Sequence, residues 1–366
     1  MHALELDDAL TRLGYQATVF APDATGSGFF RDTLCATSCV AATPAGNDRQ
    51  ATVETWIDDY IRHFEHTENR QFDVWHAQSE SSGNALATLK ERGLIGGFGF
   101  TVHHILGDER LRRLQLRAIT SADHLFVVGR VWQDWVAREL KRDACYVGNG
   151  VDRTRFSPRA DETDSELRTL LTLPVGVPLF LALGGIEWRK NTIQVLRAFK
   201  FVQAQNPSAR LVIAGGAAIV ENEAFKARFA EVFAHSGALA SAVILTGPLP
   251  QKLMPALYRA ATSLVFPSIR EGFGLVVLEA MASGTPVVTS RIAPFTEYLD
   301  EDDVLWCDPL NAASIAEAMS HSLDATRRHS LIARGMRVAA RHDWIETARA
   351  HLPIYEKLHT LATAAA

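Results

Sequence analysis

Two glutamates, Glu271 and Glu279, have seven residues between them in a segment that could bind a phosphorylated sugar. Gly272 and Gly274 provide a flexible turn, and the pattern of residues 275–282 predicts a helix. The first turn of a helix has unpaired backbone N–H groups and the positive end of the helix dipole, so it can bind an anion. A carboxylate on each side of that turn can accept hydrogen bonds from hydroxyl groups. A sugar nucleotide has the matching layout of sugar hydroxyls, diphosphate and ribose hydroxyls. The alternative is an acidic loop residue and an unrelated acid on the helix surface.

The residues that follow make this segment similar to a known motif. The chain continues as Ala-Met-Ala-Ser-Gly-Thr-Pro-Val-Val over residues 280–288. The whole segment resembles the donor-binding motif of the retaining glycosyltransferases of family 4, which have the GT-B fold. The resemblance implies that Glu271 contacts the donor sugar and that Glu279 holds the ribose. It also implies backbone contacts to the sugar and phosphates at Gly272, Phe273, Gly274 and Leu275.

A lysine and an arginine follow another predicted strand, in the segment Gly184-Gly-Ile-Glu-Trp-Arg-Lys-Asn. A lysine there can neutralise a diphosphate as a point charge, and an arginine can bind it through two N–H groups. The resemblance implies that Lys190 clamps the donor diphosphate and that Gly184 and Arg189 line the same site. The family carries a further arginine where this chain has Gly185. Arg189 and Arg270 are the alternatives for that missing cation, and the alternative for Lys190 is a solvated surface lysine.

Histidines follow two predicted strands in the N-terminal half. His103 ends the apolar segment Phe-Thr-Val-His, and the resemblance implies a place near the donor sugar. A histidine at a strand end is otherwise a packing residue held by hydrogen bonds. For His76 the alternatives are packing and the acceptor side of the site. Residues 109–119 predict a basic helix, which could lie on an anionic membrane or simply present a solvated face.

The composition is typical of a globular protein with two domains. The chain has 366 residues, of which 47% are hydrophobic and 22% are charged, and its net charge is −5. This charge gives no reason to expect a nucleic-acid partner. No apolar run reaches the length of a membrane span and no signal peptide is evident, so we expect a cytoplasmic location, with the inner face of the membrane as an alternative. The cysteines fit no zinc pattern.

Short apolar strands alternate with helices in the C-terminal half. The predicted strands are 179–183, 210–214, 243–246, 263–266 and 285–290, and the predicted helices are 191–205, 253–261 and 275–282. This alternation indicates a parallel, doubly wound sheet, which binds ligands outside the carboxyl ends of its strands. The loops at Gly184, Gly215, Gly247 and Glu271 should therefore meet at one edge. Gly215 and Leu249 join the predicted donor site on this basis, with Leu249 near the base.

The N-terminal half has the same character, with predicted strands at 17–21, 73–76, 99–103, 125–128 and 144–148. We expect an acceptor-side domain over residues 1–151, a donor-binding domain over 152–343, and a helix over 344–366 that crosses back to the first domain. Residues 151–174 are interpreted as the connection. The family begins with a strand and a glycine-rich loop that do not precede the first predicted helix here. Because the first strand of a doubly wound sheet is central, its absence should leave strand edges unpaired, and we expect the printed start to be internal.

The sequence therefore predicts an α/β protein of the GT-B class, with two Rossmann-like domains facing a cleft. The implied activity is transfer of a sugar from a UDP-, GDP- or ADP-sugar to a hydroxyl of a glycan, lipid or small molecule, with retention. Glu271, Lys190 and His103 are the predicted catalytic residues, with no tightly bound cofactor and no metal. The alternatives are a degenerate nucleotide-sugar binding protein and a related phosphorylase or epimerase.

Overall fold

The computed structural model describes residues 1–44, 48–216 and 223–365. The chain forms two compact units, which we call the N-terminal unit, Met1–Asn149 with Trp344–Ala366, and the C-terminal unit, Gly150–Asp343. The boundary between Asn149 and Gly150 lies close to the one that the sequence predicts after residue 151.

Short strands alternate with longer helices in the N-terminal unit. Its strands are β1 (Thr18–Asp23), β2 (Ala36–Ala41), β3 (His76–Ala77), β4 (Gly99–Val102), β5 (His124–Val127) and β6 (Cys145–Tyr146). Its helices are α1 (His2–Arg12), α2 (Arg49–Glu65), α3 (Glu80–Glu91), α4 (Glu109–Ser121), α5 (Arg130–Trp135) and, at the end of the chain, α14 (Trp344–Ala365). Helix α14 packs on α1 and on strands β5 and β6.

The strands of the N-terminal unit form two separate parallel sheets within the described ranges. One sheet pairs β1 with β2, and the other has the order β3-β4-β5-β6. One edge of β1 and one edge of β3 therefore pair with no strand in the described part of the chain.

Several elements of the N-terminal unit differ from the prediction. Strand β3 has two residues and shares only His76 with the predicted strand at 73–76, and β2, α2 and α3 are not predicted. Helix α4 covers the predicted basic segment, but two of its arginines are paired: Arg113 with Glu109 at 2.8 Å and Arg117 with Glu91 at 3.1 Å. These pairs favour a solvated helix face.

The C-terminal unit has six parallel strands in its described residues. They are β7 (Leu179–Leu183), β8 (Arg210–Ala214), β9 (Val243–Gly247), β10 (Ser263–Phe266), β11 (Val287–Ser290) and β12 (Leu305–Cys307). The helices are α6 (Glu162–Leu171), α7 (Thr192–Gln205), α8 (Glu223–Ala234), α9 (Met254–Ala260), α10 (Leu275–Ala282), α11 (Phe295–Tyr298), α12 (Ala312–His321) and α13 (Ala325–Ala340). The sheet order is β12-β11-β10-β7-β8-β9.

The central strands of this sheet are apolar because helices cover them. Every residue of β7, β10 and β11 is buried, which is the pattern of a parallel sheet with both faces covered. Helices α7 and α12 pack together, and their apolar residues share one core with the strands. That core includes Phe180, Leu196, Phe199, Ile213, Val265 and Met319.

Two predicted boundaries of the C-terminal unit are wrong for local physical reasons. The interpreted connection at 151–174 contains α6, whose first turn is capped by Asp161, which accepts a hydrogen bond from the backbone N–H of Thr163. The strand predicted at 285–290 starts only at Val287. Thr285 instead closes the end of α10, because its N–H donates to the carbonyl of Ala280 at 2.9 Å.

Candidate functional site

The order of strands in the C-terminal unit identifies a place for a ligand. From β7 the chain continues to β8 and β9 on one side, and then adds β10, β11 and β12 on the other. Ligands of doubly wound sheets bind at the carboxyl ends of the strands where the order reverses, here between β7 and β10. The loops after these two strands carry Lys190 and Glu271.

Lys190 and Glu271 are in direct contact. The Nζ of Lys190 lies 2.6 Å from Oε1 of Glu271, and their side chains are 17% and 7% exposed. The same Nζ lies 4.6 Å from the centre of the Phe266 ring, on the face of the aromatic system. The lysine stem packs on Gly184, where an added Cβ would stand 2.8 Å from Cγ of Lys190. The pair is thus held in one place by the end of β7 and the end of β10.

Gly185 cannot carry a side chain in this backbone. Its φ is +70°, and an added Cβ would stand 2.4 Å from the carbonyl oxygen of Gly216. The loop after β7 lies against the loop after β8, since the N–H groups of Gly184 and Gly185 both donate to the carbonyl of Ala214 at 3.0 Å. An arginine at position 185, where the family carries one, would therefore require a different path of this loop, so the difference from the family is more than an exchange of side chains.

Helix α10 begins at the predicted glycine turn. Gly274 precedes it with φ +89°, and an added Cβ there would lie 2.4 Å from Cε1 of Phe295. The glycine is required both by its backbone angle and by the close approach of that ring. The N–H of Val277 donates to the carbonyl of Gly274 at 2.9 Å, while the N–H groups of Leu275 and Val276 come before the first i−4 bond of the helix and follow the loop that carries Glu271. Helix N-termini of this kind are able to bind anions, and this one begins four residues after Glu271.

The side chain of Phe273 has a structural role. It is buried and stacks on Tyr298, with ring centres 4.8 Å apart and planes inclined by 8°. The hydroxyl of Tyr298 donates to the carbonyl of Phe273 at 3.3 Å. This stacking fixes the backbone of the glycine turn, so that only main-chain groups of Phe273 are left for contact with a ligand.

Glu279 is half-buried on α10 and has a partner that the sequence analysis missed. Its Oε2 accepts a hydrogen bond of 2.6 Å from the hydroxyl of Tyr258 on α9. Burial first, and then the charge of Glu279, raise the pKa of Tyr258 well above its ordinary value, so the hydroxyl keeps its proton and remains the donor. A tyrosine in an apolar helix carries no signal of such a role in the sequence.

Arg189 and Arg270 are the two alternatives for the missing cation. Arg189 pairs with Glu187 at 2.6 Å, and its carbonyl accepts from the N–H of Ile269 at 2.9 Å. This last bond joins the loop after β7 to the loop after β10, next to Arg270, which is half-buried. Both arginines thus lie in the two loops that carry the lysine–glutamate pair.

Gly215 and Leu249 follow β8 and β9, as predicted. Gly215 has φ +126° and packs closely on the N–H of Gly185. Leu249 is half-buried, two residues after the end of β9. Both residues lie after the carboxyl ends of strands on the side of the sheet beyond β7.

His103 belongs to the N-terminal unit, directly after β4. Its Nε2 lies 2.9 Å from Oε1 of Gln78, and its ring meets that of His2 at a centre distance of 4.7 Å. Burial lowers the pKa of His103 to about 3, helped by the neighbouring His104, so it is neutral at pH 7. The ring nitrogens of His76 contact Tyr355 at 2.8 Å and Thr101 at 2.7 Å, which favours the packing alternative for His76.

Comparison with known sequences decides the family. Residues 164–350, half of the chain, match the family described as Glycosyl transferases group 1, and residues 1–155 match Glycosyltransferase Family 4. The chain belongs to the group 1 glycosyl transferases. The predicted family membership is thereby confirmed.

The similar curated relatives of this group 1 glycosyl transferase include proteins named D-inositol 3-phosphate glycosyltransferase. That of Xylanimonas cellulosilytica is 32% identical over 211 residues, covering 56% of this chain and 49% of the relative. That of Thermobispora bispora is 31% identical over 322 residues, covering 79% of this chain and 72% of the relative. The chain thus spans about half the length of the first of these relatives.

Solved structures confirm the predicted GT-B fold. Sucrose-phosphate synthase of Thermosynechococcus elongatus aligns with a TM-score of 0.79 at 22% identity, covering 97% of this chain and 92% of that one. HepE of Anabaena, solved with UDP and glucose, aligns with a TM-score of 0.75 at 17% identity, covering 98% and 96%. Both units of this group 1 glycosyl transferase are parallel α/β domains of the Rossmann type.

Two further findings concern metal binding and membrane spanning. No group of three histidine, cysteine, aspartate or glutamate side chains is placed to hold a metal ion in the ranges that the structure describes. In the same ranges, no helix combines the length and the apolar character needed to cross a membrane.

Proposed function

We propose that this chain transfers a sugar from a nucleotide diphosphate sugar to an acceptor hydroxyl, with retention of the anomeric configuration. The observation that supports this most is the contact of Lys190 with Glu271 at 2.6 Å, at the reversal of strand order and with Glu271 in the loop that leads into α10. Glu279 lies further along the same helix. A cation, helix N–H groups and two carboxylates match the parts of a sugar nucleotide.

Each group has a distinct task in the proposed reaction. The bond from the anomeric carbon to the phosphate oxygen breaks, the acceptor oxygen bonds to that carbon, and the acceptor proton passes to the leaving diphosphate. Lys190 and the first-turn N–H groups of α10 stabilise the charge that develops on the diphosphate. Glu271 accepts hydrogen bonds from the sugar hydroxyls. Retention follows in this scheme because the leaving group takes the proton on the face of attack, as the family resemblance implies.

The entering donor changes the partner of Lys190. Without donor, Glu271 neutralises the lysine at 2.6 Å. A diphosphate bound beside α10 gives the lysine a second anionic partner. The carboxylate oxygens of Glu271 then accept hydrogen bonds from sugar hydroxyls. Because the pair is mostly buried, both charges act in a medium of lower dielectric than water, where electrostatic stabilisation is larger. The contact therefore keeps the lysine in place before the donor binds.

We infer the substrates to test first from the named relatives. HepE was solved with UDP and glucose, so a UDP-sugar is the first donor to test, ahead of GDP- and ADP-sugars. Relatives carry the name D-inositol 3-phosphate glycosyltransferase, so a phosphorylated polyol is the first acceptor. Leu249 is the proposed contact for the base. We further propose a cytoplasmic site of action.

A second candidate, a nucleotide-sugar binding protein without turnover, is favoured by one observation. Gly185 replaces an arginine that the family uses on the diphosphate, and the Cβ position at Gly185 is blocked by the Gly216 carbonyl at 2.4 Å. The second cation must then come from another residue, Arg189 or Arg270. If neither supplies it, donor binding survives and turnover is lost.

The experiment that separates the candidates is a transfer assay. The chain is incubated with UDP-, GDP- and ADP-glucose and with inositol phosphate, and the released nucleoside diphosphate is measured. Proton NMR of the product determines its anomeric configuration. Transfer with retained configuration supports the proposal, and an inverted product contradicts it. Nucleotide binding without transfer to any acceptor, in a screen widened to lipids and glycans, supports the second candidate.

A further inference from the structure

We propose that Tyr258 is a positioning residue for the donor, whose hydroxyl holds the Glu279 carboxylate in the orientation that binds the ribose. This inference rests on the proposed function, which assigns the ribose to Glu279. Tyr258 lies on α9 and Glu279 on α10, so the contact joins two helices that are adjacent in the fold.

The hydroxyl of Tyr258 makes a short hydrogen bond to the charged partner. It donates to Oε2 of Glu279 at 2.6 Å, within the range of bonds between a hydroxyl and a carboxylate. A glutamate side chain has three rotatable bonds, and its terminal torsion is broad. A fixed donor on one oxygen restricts that torsion and sets the direction of the other oxygen. Two adjacent ribose hydroxyls require such a fixed direction, since both must reach one carboxylate.

The position of the tyrosine hydroxyl is set independently of Glu279. The side chain is fully buried, and its ring meets that of Phe156 edge-on with centres 5.8 Å apart. The hydroxyl of Thr285 donates to the main-chain carbonyl of Tyr258 at 2.7 Å. Packing and this backbone contact place the ring, so the hydroxyl is a fixed reference point to which the glutamate adjusts.

The residues around Tyr258 also connect to the part of the site that is proposed to bind the nucleobase. Arg155 lies close enough to Tyr258 to oppose the rise of its pKa, which burial and Glu279 cause. The Nη2 of Arg155 also donates to Oε1 of Gln251 at 2.8 Å, two residues after Leu249. Residues 155 and 156 belong to the segment that the sequence suggests as a connection, yet here they support the donor site.

The test compares a ribose nucleotide with its 2′,3′-dideoxy form. The probe is whichever of UDP, GDP and ADP binds the wild-type chain most tightly, together with the 2′,3′-dideoxy form of the same nucleotide. The wild-type chain should prefer the ribose form by about tenfold or more, the value of a hydrogen bond to a charged group. Tyr258→Phe should reduce this preference about fivefold and leave the affinity for the dideoxy form near its wild-type value.

A matched control removes a hydroxyl of similar burial elsewhere. The hydroxyl of Tyr60, in the N-terminal unit, donates to the carbonyl of Phe20 at 3.1 Å. Tyr60→Phe should leave the preference for ribose unchanged. In the transfer assay, Tyr258→Phe should raise the donor KM with little change in kcat, because it weakens a contact made equally before and during reaction.

The outcomes separate the inference from the proposed function. A Tyr258→Phe variant that loses affinity for both forms equally has a merely structural defect, and that result overturns the inference. An unchanged preference also overturns it. A wild-type chain that binds no nucleoside diphosphate contradicts the proposed function, and the inference falls with it. If Tyr258→Phe does not fold, Phe156→Leu, which loosens the ring and keeps the hydroxyl, should lower the preference by a smaller factor; an unchanged preference there contradicts the inference.

Discussion

In the C-terminal unit Lys190 and Glu271 face each other at 2.6 Å, whereas in the N-terminal unit four histidines contact one another. His2 meets His103 and His351, and His351 meets His76, with ring centres 4.7 to 6.3 Å apart. The hydrogen-bond partners of these rings in the described ranges are hydroxyl, amide and carbonyl groups. The lysine–glutamate pair thus buries opposite charges, whereas the histidine cluster buries neutral rings. Elsewhere in the N-terminal unit, Arg31 also forms a buried ion pair with Glu5 at 3.2 Å and with Asp8 at 3.0 Å.

The difference indicates which of these two groups of residues can bind a charged ligand. A buried ion pair keeps both charges because each partner offsets the desolvation of the other. Burial instead lowers the pKa of the histidines, to about 3 for His103 and about 4 for His351. The charged donor should therefore be held by the C-terminal unit, while the N-terminal cluster offers neutral hydrogen-bonding groups. The following predictions test this contrast.

Replacement of Lys190 should have the largest effect. Lys190→Ala removes the cation that faces the leaving diphosphate, and it leaves Glu271 without its partner. Loss of one group that stabilises developing charge costs about 3–4 kcal/mol, so turnover should fall by about two to three orders of magnitude. Initial rates at saturating donor measure this. Lys200→Ala, an exposed lysine on α7, is the control and should keep full turnover; equal rates in both variants would remove Lys190 from the mechanism.

Gly185→Ala should destabilise the C-terminal unit. The variant combines a positive φ of +70° with a Cβ 2.4 Å from a backbone oxygen. Backbone strain of about 1–2 kcal/mol and a comparable packing cost should lower the free energy of unfolding by about 3 kcal/mol. Gly176→Ala is the matched control, because Gly176 has φ +74° and an added Cβ would meet no atom of the described residues within 4 Å, so it should cost only the strain. Urea denaturation measures both, and equal losses would mean that the two glycine loops can separate freely.

Acid should destabilise the N-terminal unit first. Burial lowers the folded pKa values of His2, His76, His103 and His351, so the unfolded chain binds protons before the folded one as the pH falls below 6.5. The stabilising contribution of these histidines is therefore complete above pH 6.5. As the pH falls toward 4, the free energy of unfolding decreases by up to about 1.4 kcal/mol per pH unit for each histidine that stays neutral in the folded chain.

One acid in the same region acts in the opposite direction. Burial raises the pKa of Asp7 on α1 to about 7, so its contribution is present below pH 3.8 and is lost as the pH rises through 7. Tyr355 also faces the cluster, and it keeps its proton throughout because burial raises its pKa. Four histidines outweigh one aspartate between pH 6.5 and 4. Hydrogen exchange resolved by peptide should show earlier loss of protection in the N-terminal unit, and simultaneous loss in both units would contradict this.

His2→Leu should have the smallest effect at neutral pH and should weaken the acid response. Both ring nitrogens of His2 are buried and have no hydrogen-bond partner among the residues that the structure describes. An apolar side chain of similar size removes this unsatisfied pair, so stability at pH 7.5 should stay the same or rise by about 1 kcal/mol. Below pH 6.5, the slope of the free energy of unfolding against pH should fall by up to about 1.4 kcal/mol per pH unit, which corresponds to one proton fewer taken up on unfolding. His329→Leu, an exposed site on α13, should leave the slope unchanged, and an unchanged slope in His2→Leu would show that His2 titrates normally.

The sequence predicts those parts of the molecule that depend on contiguous residues. The buried strand β7 follows from an apolar run of five residues, and β10 and β11 follow from shorter apolar runs bounded by polar residues or turns. The glycine turn at Gly274 and the helix after it follow in the same way. The sequence also predicts that the loops carrying Lys190 and Glu271 lie at one edge of the sheet, whereas the direct contact of the two side chains is a finding of the structure.

Other features depend on neighbours that are distant in the chain. Gly185 is explained by the carbonyl of Gly216, and Tyr258 by a carboxylate on another helix. The histidine cluster brings together residues from near both ends of the chain, His2 and His351. No local pattern encodes these proximities. The missed helix α6 is different, since Asp161 and Asp164 form a recognisable capping box at the start of a segment that contains three leucines.

Nucleotide binding by the wild-type chain and by Glu279→Ala tests the central claim most directly. Titration calorimetry with UDP, GDP, ADP and TDP should show binding of one of them, and Glu279→Ala should weaken it by about tenfold or more, because a charged acceptor of ribose hydroxyls is lost. Glu317→Ala, an exposed glutamate on α12, should bind like the wild type. A wild-type chain that binds none of the four nucleotides, or a Glu279→Ala variant with undiminished affinity, would contradict the account.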